Sequence, residues 1–280
     1  VTADEPTWEK PPFSGIIEGG NIHGRGAMDC KSTVFSEFQA IEELLQEGFV
    51  PPCDIYLASS VDEEISGGGA PMLVEHLKKS GVQLEVAMDE GGAILKDALP
   101  TMSGWCAAIG VLEKGHMDVK VIAKGTGGHS STPKKNTPLV RLSKFVAAIE
   151  KDNPFKAEIS GPVYAMLDQA APLLGFPLRM VLGNMWLFKG LLTKVLPMVS
   201  PMTNAFVKTT FACTMAGGSQ TPNVIPTEAY IICNLRPSPH QNADASLAVL
   251  KKYADKFDLE LEVIHARNAS NCVDYNGEEF

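Results

Sequence analysis

The chain is short of positive charge: 24 lysines and arginines face 33 acidic residues, a net charge of −9 over 280 residues. No basic stripe is visible to neutralise a phosphate backbone, which argues against a nucleic-acid partner. Long apolar runs are also missing. The richest region, 162 to 207, is broken by Arg179, Lys189, Lys194 and repeated prolines before any run reaches the roughly 20 residues that span a bilayer, so no membrane span is expected. The six cysteines lie 23, 53, 107, 20 and 39 residues apart, matching neither a close-paired zinc motif nor a small disulfide framework. They read as thiols of a reducing compartment, and the expected location is cytoplasmic. There is no visible signal peptide, no internal repeat and no low-complexity linker; Val1 is not a natural start, so the native N-terminus is expected upstream.

What is present is core-forming material. With 45% hydrophobic and 20% charged residues, the chain can bury one large domain or two ordinary ones. Val34, Phe38, Ile41 and Leu45 recur at helical spacing, and Gly48 supplies a stop, which predicts an amphipathic helix over 32–47. The runs DIYLASSV (54–61) and LEVAMDEGG (84–92), with a helix over 70–80 between them, predict buried strands of a parallel sheet in an α/β layer. Near Gly110 the character changes. HMDVKVIAKG (116–125) alternates like a half-exposed strand, a helix starts at Asn136-Thr137-Pro138 with Leu139, Leu142, Val146 and Ile149 on one face, and TEAYIICNLRP (227–237) reads as another strand. The expected organisation is a catalytic domain over 1–109, an inserted α+β lid or dimerisation domain over 110–268, and a return to the catalytic domain over 269–280. Residues 162–207 read as short packed helices, with an acyl-chain or partner-facing surface as the sharper alternative.

Four carboxylates carry the chemistry. Asp29 is delivered by the glycine turn GRGAMDCK (24–31); Glu63, Glu64 and Asp89 follow the two predicted strands. Singly each reads as a solvated loop acid, but four like charges sharing one pocket need a cation to offset their repulsion, and two zinc ions would supply it.

GRGAMDCK, SSVDEE, AMDEGG, GTGGHSSTP and the TPNVIP and NLRP pair occur in the same order as in the co-catalytic zinc family of aminoacylases, carboxypeptidase S and glutamate carboxypeptidases. WEKPPFSG (8–15) also resembles a segment of carboxypeptidase S and the N-acyl amino acid hydrolases. The resemblance implies that Asp29 bridges two zinc ions, that Glu64 and Asp89 each bind one, and that Glu63 is the general base. It also implies a cis Asp29–Cys30 peptide. His129 resembles the family's oxyanion-stabilising histidine, and Asn223 with Arg236 its pair for the substrate's free carboxylate. The implied activity is zinc-dependent hydrolysis of an amide in a short peptide or N-acyl amino acid by a homodimer. The family's His-x-Asp motif and its C-terminal zinc-binding histidine are not in this sequence, and His23, His76, His240 and His265 do not replace them. This leaves two expectations: a portion of a longer enzyme, or a catalytically silent binding or assembly module.

Overall fold

The computed structural model describes residues 3–65, 67–97 and 101–277. The chain divides into two compact units, one ending at Ala93 and the other beginning at Ile94.

The first unit opens with a hairpin of β1 (Ile16–Glu18) and β2 (Asn21–His23), paired antiparallel. A tight turn then leads into α1 (Ser32–Gln46), and α2 (Gly69–Lys79) follows. Both helices fall where the 3.6-residue periodicity places them. The expected apolar face of α1 is nevertheless largely open, with Phe38 and Leu45 both exposed. The two strands expected at 54–61 and 84–92 are not formed among the described residues, and every strand pairing whose direction is described is antiparallel. A strand exists only through bonds to a neighbour, and among the described residues neither segment has one. Ile55, Leu57, Leu84 and Val86 accordingly stay exposed.

The second unit holds a four-stranded sheet in the order β10-β5-β9-β7, antiparallel throughout: β5 (His116–Lys124), β7 (Thr210–Gly217), β9 (Glu228–Arg236) and β10 (Glu260–Arg267). Period-two alternation turns Met117, Val119, Val121 and Ala123 of β5 into one core. There they meet Leu142, Phe145 and Ile149 of α3 (Pro138–Asp152) and Leu250 and Ala254 of α8 (Ala243–Lys256). Each such aliphatic or aromatic side chain contributes about 1.5–3 kcal/mol by leaving water. The expected α3 face shifts slightly, since Phe145 is fully buried while Leu139 is exposed. Two further pairs complete the strands: β3 (Ala93–Lys96), at the junction, with β4 (Trp105–Ala108), and β6 (Gly128–His129) with β8 (Val224–Ile225).

The apolar region 162–207 is a set of packed helices: α4 (Gly161–Ala170), α5 (Leu178–Leu182), α6 (Met185–Val199) and α7 (Pro201–Val207). They have a core of their own, built on Ile159, Leu174, Met185, Leu192 and Val207. Ser200 caps α7 reciprocally: its hydroxyl accepts from the Thr203 amide at 3.1 Å, and its own amide donates to Thr203 Oγ1 at 3.0 Å. Trp186, Leu187, Leu191 and Met198 remain outside this core on α6. Residues 270–273 run beside 111–113, with Ser270 N donating to Glu113 O and Val273 N to Val111 O, both at 2.9 Å. Among the described residues no helix is long and apolar enough to cross a membrane.

Candidate metal centre and substrate-facing residues

The GRGAMDCK turn is closed by its own backbone. Gly26 sits in the left-handed region at φ 69°, where a side chain is strained, and its carbonyl accepts from Lys31 N at 3.0 Å. Lys31 Nζ donates to the Arg25 carbonyl at 2.7 Å, and a Cβ on Gly26 would stand only 3.0 Å from that ammonium. Arg25 is held in turn by a bond from its amide to Pro12 O and by its guanidinium lying over Trp8. At the head of this turn Asp29 leaves helical geometry, and the Asp29–Cys30 peptide is cis, as the resemblance implied.

Of the acidic triplet 62–64, Asp62 has a structural task. Its carboxylate accepts from the amide of Gly69, which opens α2, at 3.1 and 3.3 Å. Cβ atoms at Gly67 or Gly69 would collide with it. Among the described residues Glu63 and Glu64, in a short 3-10 turn, accept no such bond.

The four expected acids are close enough for their charges to act on Glu63, but not all within ligand distance of one another. Burial, and then the charges of Glu90, Glu64, Asp89 and Asp29, push the Glu63 carboxyl above its ordinary range. Two participants were not singled out in the sequence. Asp29, Cys30 and Glu90 present ligand atoms that all lie within 4.8 Å of one another. A hydrogen bond to Glu90, with burial and the surrounding negative charge, pushes the Cys30 thiol up to about 11. Glu90 adjoins Asp89 in AMDEGG, so the acidic doublet was the available signal; Asp89 itself accepts from the Glu90 amide at 2.9 Å. Of the expected acids only Asp29 stands within ligand distance of two other donors, Cys30 and Glu90; Glu63, Glu64 and Asp89 lie outside that group, and among the described residues none of these carboxylates forms an ion pair. The donor set therefore fits a hard divalent cation, whose charge would offset the repulsion that raises Glu63.

In the second unit, His129 and Asn223 are brought together. His129 pairs with Val224 across β6 and β8, and Ser130 N donates to Asn223 O at 3.0 Å. His129 Nδ1 accepts from the Ser131 amide at 3.2 Å and lies 2.9 Å from Ser131 Oγ. With Nδ1 accepting, the neutral ring carries its proton on Nε2, which is left as a donor. Asn223 and Arg236 are not brought together within one chain. Asn223 precedes β9, whereas Arg236 is its last residue, paired with Thr210. The family resemblance implied this pair for the carboxylate; in the fold the length of β9 lies between its two members.

Residues 1–260 match Peptidase family M20/M25/M40. The chain belongs to that family. Among curated relatives, the N-fatty-acyl-amino acid synthase/hydrolase PM20D1 of Homo sapiens is 36% identical over 266 residues, 95% of this chain and 53% of that protein. Carboxypeptidase S of Saccharomyces cerevisiae is 30% identical over 275 residues, covering 91% of this chain and 46% of that protein. The chain thus spans about half the length of the curated relatives it matches. Among solved structures, the di-peptidase Dug1p from Saccharomyces cerevisiae aligns at a TM-score of 0.58 and 15% identity, over 97% of this chain and 60% of that one. The metallo-carboxypeptidase Sso-CP2 from Sulfolobus solfataricus aligns at 0.55 and 18% identity, over 95% and 62%. The chain shares their mixed α/β fold, and membership of the M20 family implies a metal cofactor.

Proposed function

We propose that this chain carries part of the metal centre and the lid of a zinc-dependent hydrolase. It would cleave the amide bond of a short peptide or N-acyl amino acid with a free C-terminal carboxylate. The observation that supports the reading is the Asp29, Cys30 and Glu90 donor group, with Glu64 and Asp89 near enough for their charges to raise Glu63. Asp29, Glu64 and Asp89 are the residues that would hold the zinc, with Glu90 beside Asp29. Bound zinc supplies Lewis acidity and lowers the pKa of a coordinated water.

Glu63 is the proposed general base: its raised pKa brings it nearer to neutrality, where a carboxylate can accept the proton of the attacking water and return it to the leaving amine. His129, with a proton on Nε2, donates to the oxyanion of the tetrahedral intermediate. Arg236 holds the substrate carboxylate with its planar fork, and Asn223 assists recognition. The exposed apolar side chains of α6 favour substrates with an apolar acyl group or side chain. We further propose a homodimer, and, with all six cysteines free, the cytoplasm as its compartment.

The test is hydrolysis by the native protein of matched substrates: a medium-chain N-acyl amino acid, a dipeptide of similar size, and the C-terminally amidated form of each. Activity on the acids, loss with a chelator and recovery with zinc support the reading. A zinc-replete protein inactive on both acids overturns it in favour of a silent binding module.

A further inference from the structure

The second unit contains a cavity of about 770 Å³ whose lining reverses the charge of the protein. Six cations border it, Lys124, Lys134, Lys135, Arg141, Lys144 and Lys256, against one carboxylate, Asp258. Two of the six are neutralised: Lys124 by Glu260 at 2.6 Å and Arg141 by Asp258. Among the described residues the other four pair with no carboxylate. Lys144 donates to Asn136 Oδ1 at 2.7 Å, Lys134 lies 3.4 Å from Thr126 Oγ1, and Lys256 stands over the Tyr253 ring. In a chain of net charge −9, four carboxylate-free ammonium groups on one concavity repel one another, and a bound anion relieves that repulsion.

The backbone adds to the same field. The glycine loop 125–128 lines the cavity, with Gly127 at φ +65° and Gly128 at φ +149°. A Cβ on Gly127 would stand 2.8 Å from Thr227 Cγ2 and one on Gly125 2.9 Å from Pro138 Cγ, so only glycine permits this path. The first turn of α3 also opens here. No side chain caps it, and its unpaired amides give that end partial positive charge. Arg141 Nε, in the same wall, is buried without a hydrogen-bond partner.

We propose that this cavity is a binding site for a small phosphate-bearing molecule. Lysine ammonium groups bind phosphate as point charges, and the uncapped first turn of α3 adds partial positive charge, while the Gly125 amide of the loop is itself committed to Thr227 O. A planar carboxylate is better matched by paired guanidinium forks, and the single arginine here is already engaged by Asp258. The cavity also borders His129 of the amide-hydrolase reading, but the lysines that carry this inference take no part in that reading.

Calorimetric titration with pyrophosphate and with citrate, at fixed ionic strength in chloride, tests it. The protein is the whole chain carrying Asp29→Asn, so that anion binding to any metal at the acidic cluster is weakened. The expected result is one pyrophosphate per chain, tighter than citrate and weakened by added sodium chloride. Lys135→Gln and Lys144→Gln should each raise Kd about tenfold, the loss of one charge-assisted contact. Lys251→Gln, at a lysine already paired with Asp255, should leave it unchanged. Citrate binding as tightly as pyrophosphate overturns the phosphate assignment. Failure of pyrophosphate to bind, or equal binding by a Lys135→Gln, Lys144→Gln double variant with an unaltered circular dichroism spectrum, overturns the site.

Discussion

His129 and Arg236 stand at opposite ends of β9. His129 is tied through Val224 to the segment just before the strand, and Arg236 is its final residue. Nine residues of extended chain separate the two ends, about 26 Å at roughly 3.3 Å per residue. A dipeptide-sized substrate cannot touch both residues of one chain. If both act on one substrate, they come from two copies, and dimerisation is a catalytic requirement. Mixing inactive His129→Ala and Glu63→Gln forms of the native protein, with subunit exchange, should therefore restore activity. One site of each mixed dimer combines an intact Glu63 with the partner copy's intact His129, giving up to roughly half of the unmodified rate per mixed dimer. No recovery despite proven heterodimers, or a fully active monomer, would show that His129 does not act in trans.

Glu63→Gln in the native protein should keep its full metal content while kcat falls by on the order of 10² or more, because the base is lost but no proposed ligand is. Metal analysis beside steady-state kinetics separates the roles. Loss of metal in this variant would exchange the assignments of Glu63 and Glu64.

The second unit was legible in the sequence because its elements find their partners within the chain. The alternation of 116–125 and the helical spacing around Leu142 describe faces that close on one another in a single core. The strands expected at 54–61 and 84–92 have the composition of buried strands but no described neighbour, and composition alone does not make a ladder. In the acidic motifs, Glu90 and Cys30 stand directly beside Asp89 and Asp29 in sequence, but that they and Asp29 would share one ligand-distance group depends on the fold of the turns and not on spacing. The basic cavity was hidden for a further reason. Its cations come from β5, the loop between β6 and α3, α3 and α8, and the net charge of the chain has the opposite sign.

Lys114 gives a pH signature. Its ammonium is half-buried, donates to the carbonyls of Ala205 and Lys208 at 3.0 and 2.6 Å, and is pushed down to about 8 by burial and then by the Arg236 charge. The unfolded chain holds this proton up to about pH 10.4. Between about 8 and 10.4 the unfolded state therefore binds more protons than the folded one, and stability gains with rising pH. In Lys114→Met that gain should disappear from thermal melts collected across the window, while the loss of two hydrogen bonds lowers Tm throughout. An unchanged slope would mean that Lys114 is not the group responsible.

Arg236→Lys tests recognition of the substrate carboxylate directly. Arg236 is exposed at the end of β9 and has no carboxylate partner among the described residues, so its fork is open to a ligand. A lysine keeps the charge but presents a point in place of two parallel donors, at a cost of about 1.5–3 kcal/mol for a charged contact. kcat/KM for an acid substrate should fall by roughly 10- to 150-fold, the same energy expressed as a rate ratio. The amidated form never offered a carboxylate, so its already low rate should barely change. Charge steering alone would be preserved by lysine, so a loss confined to acids identifies geometry as the cause. Equal losses on acid and amide would remove Arg236 from the carboxylate site and assign it to the integrity of the β7–β9 edge, where it pairs with Thr210.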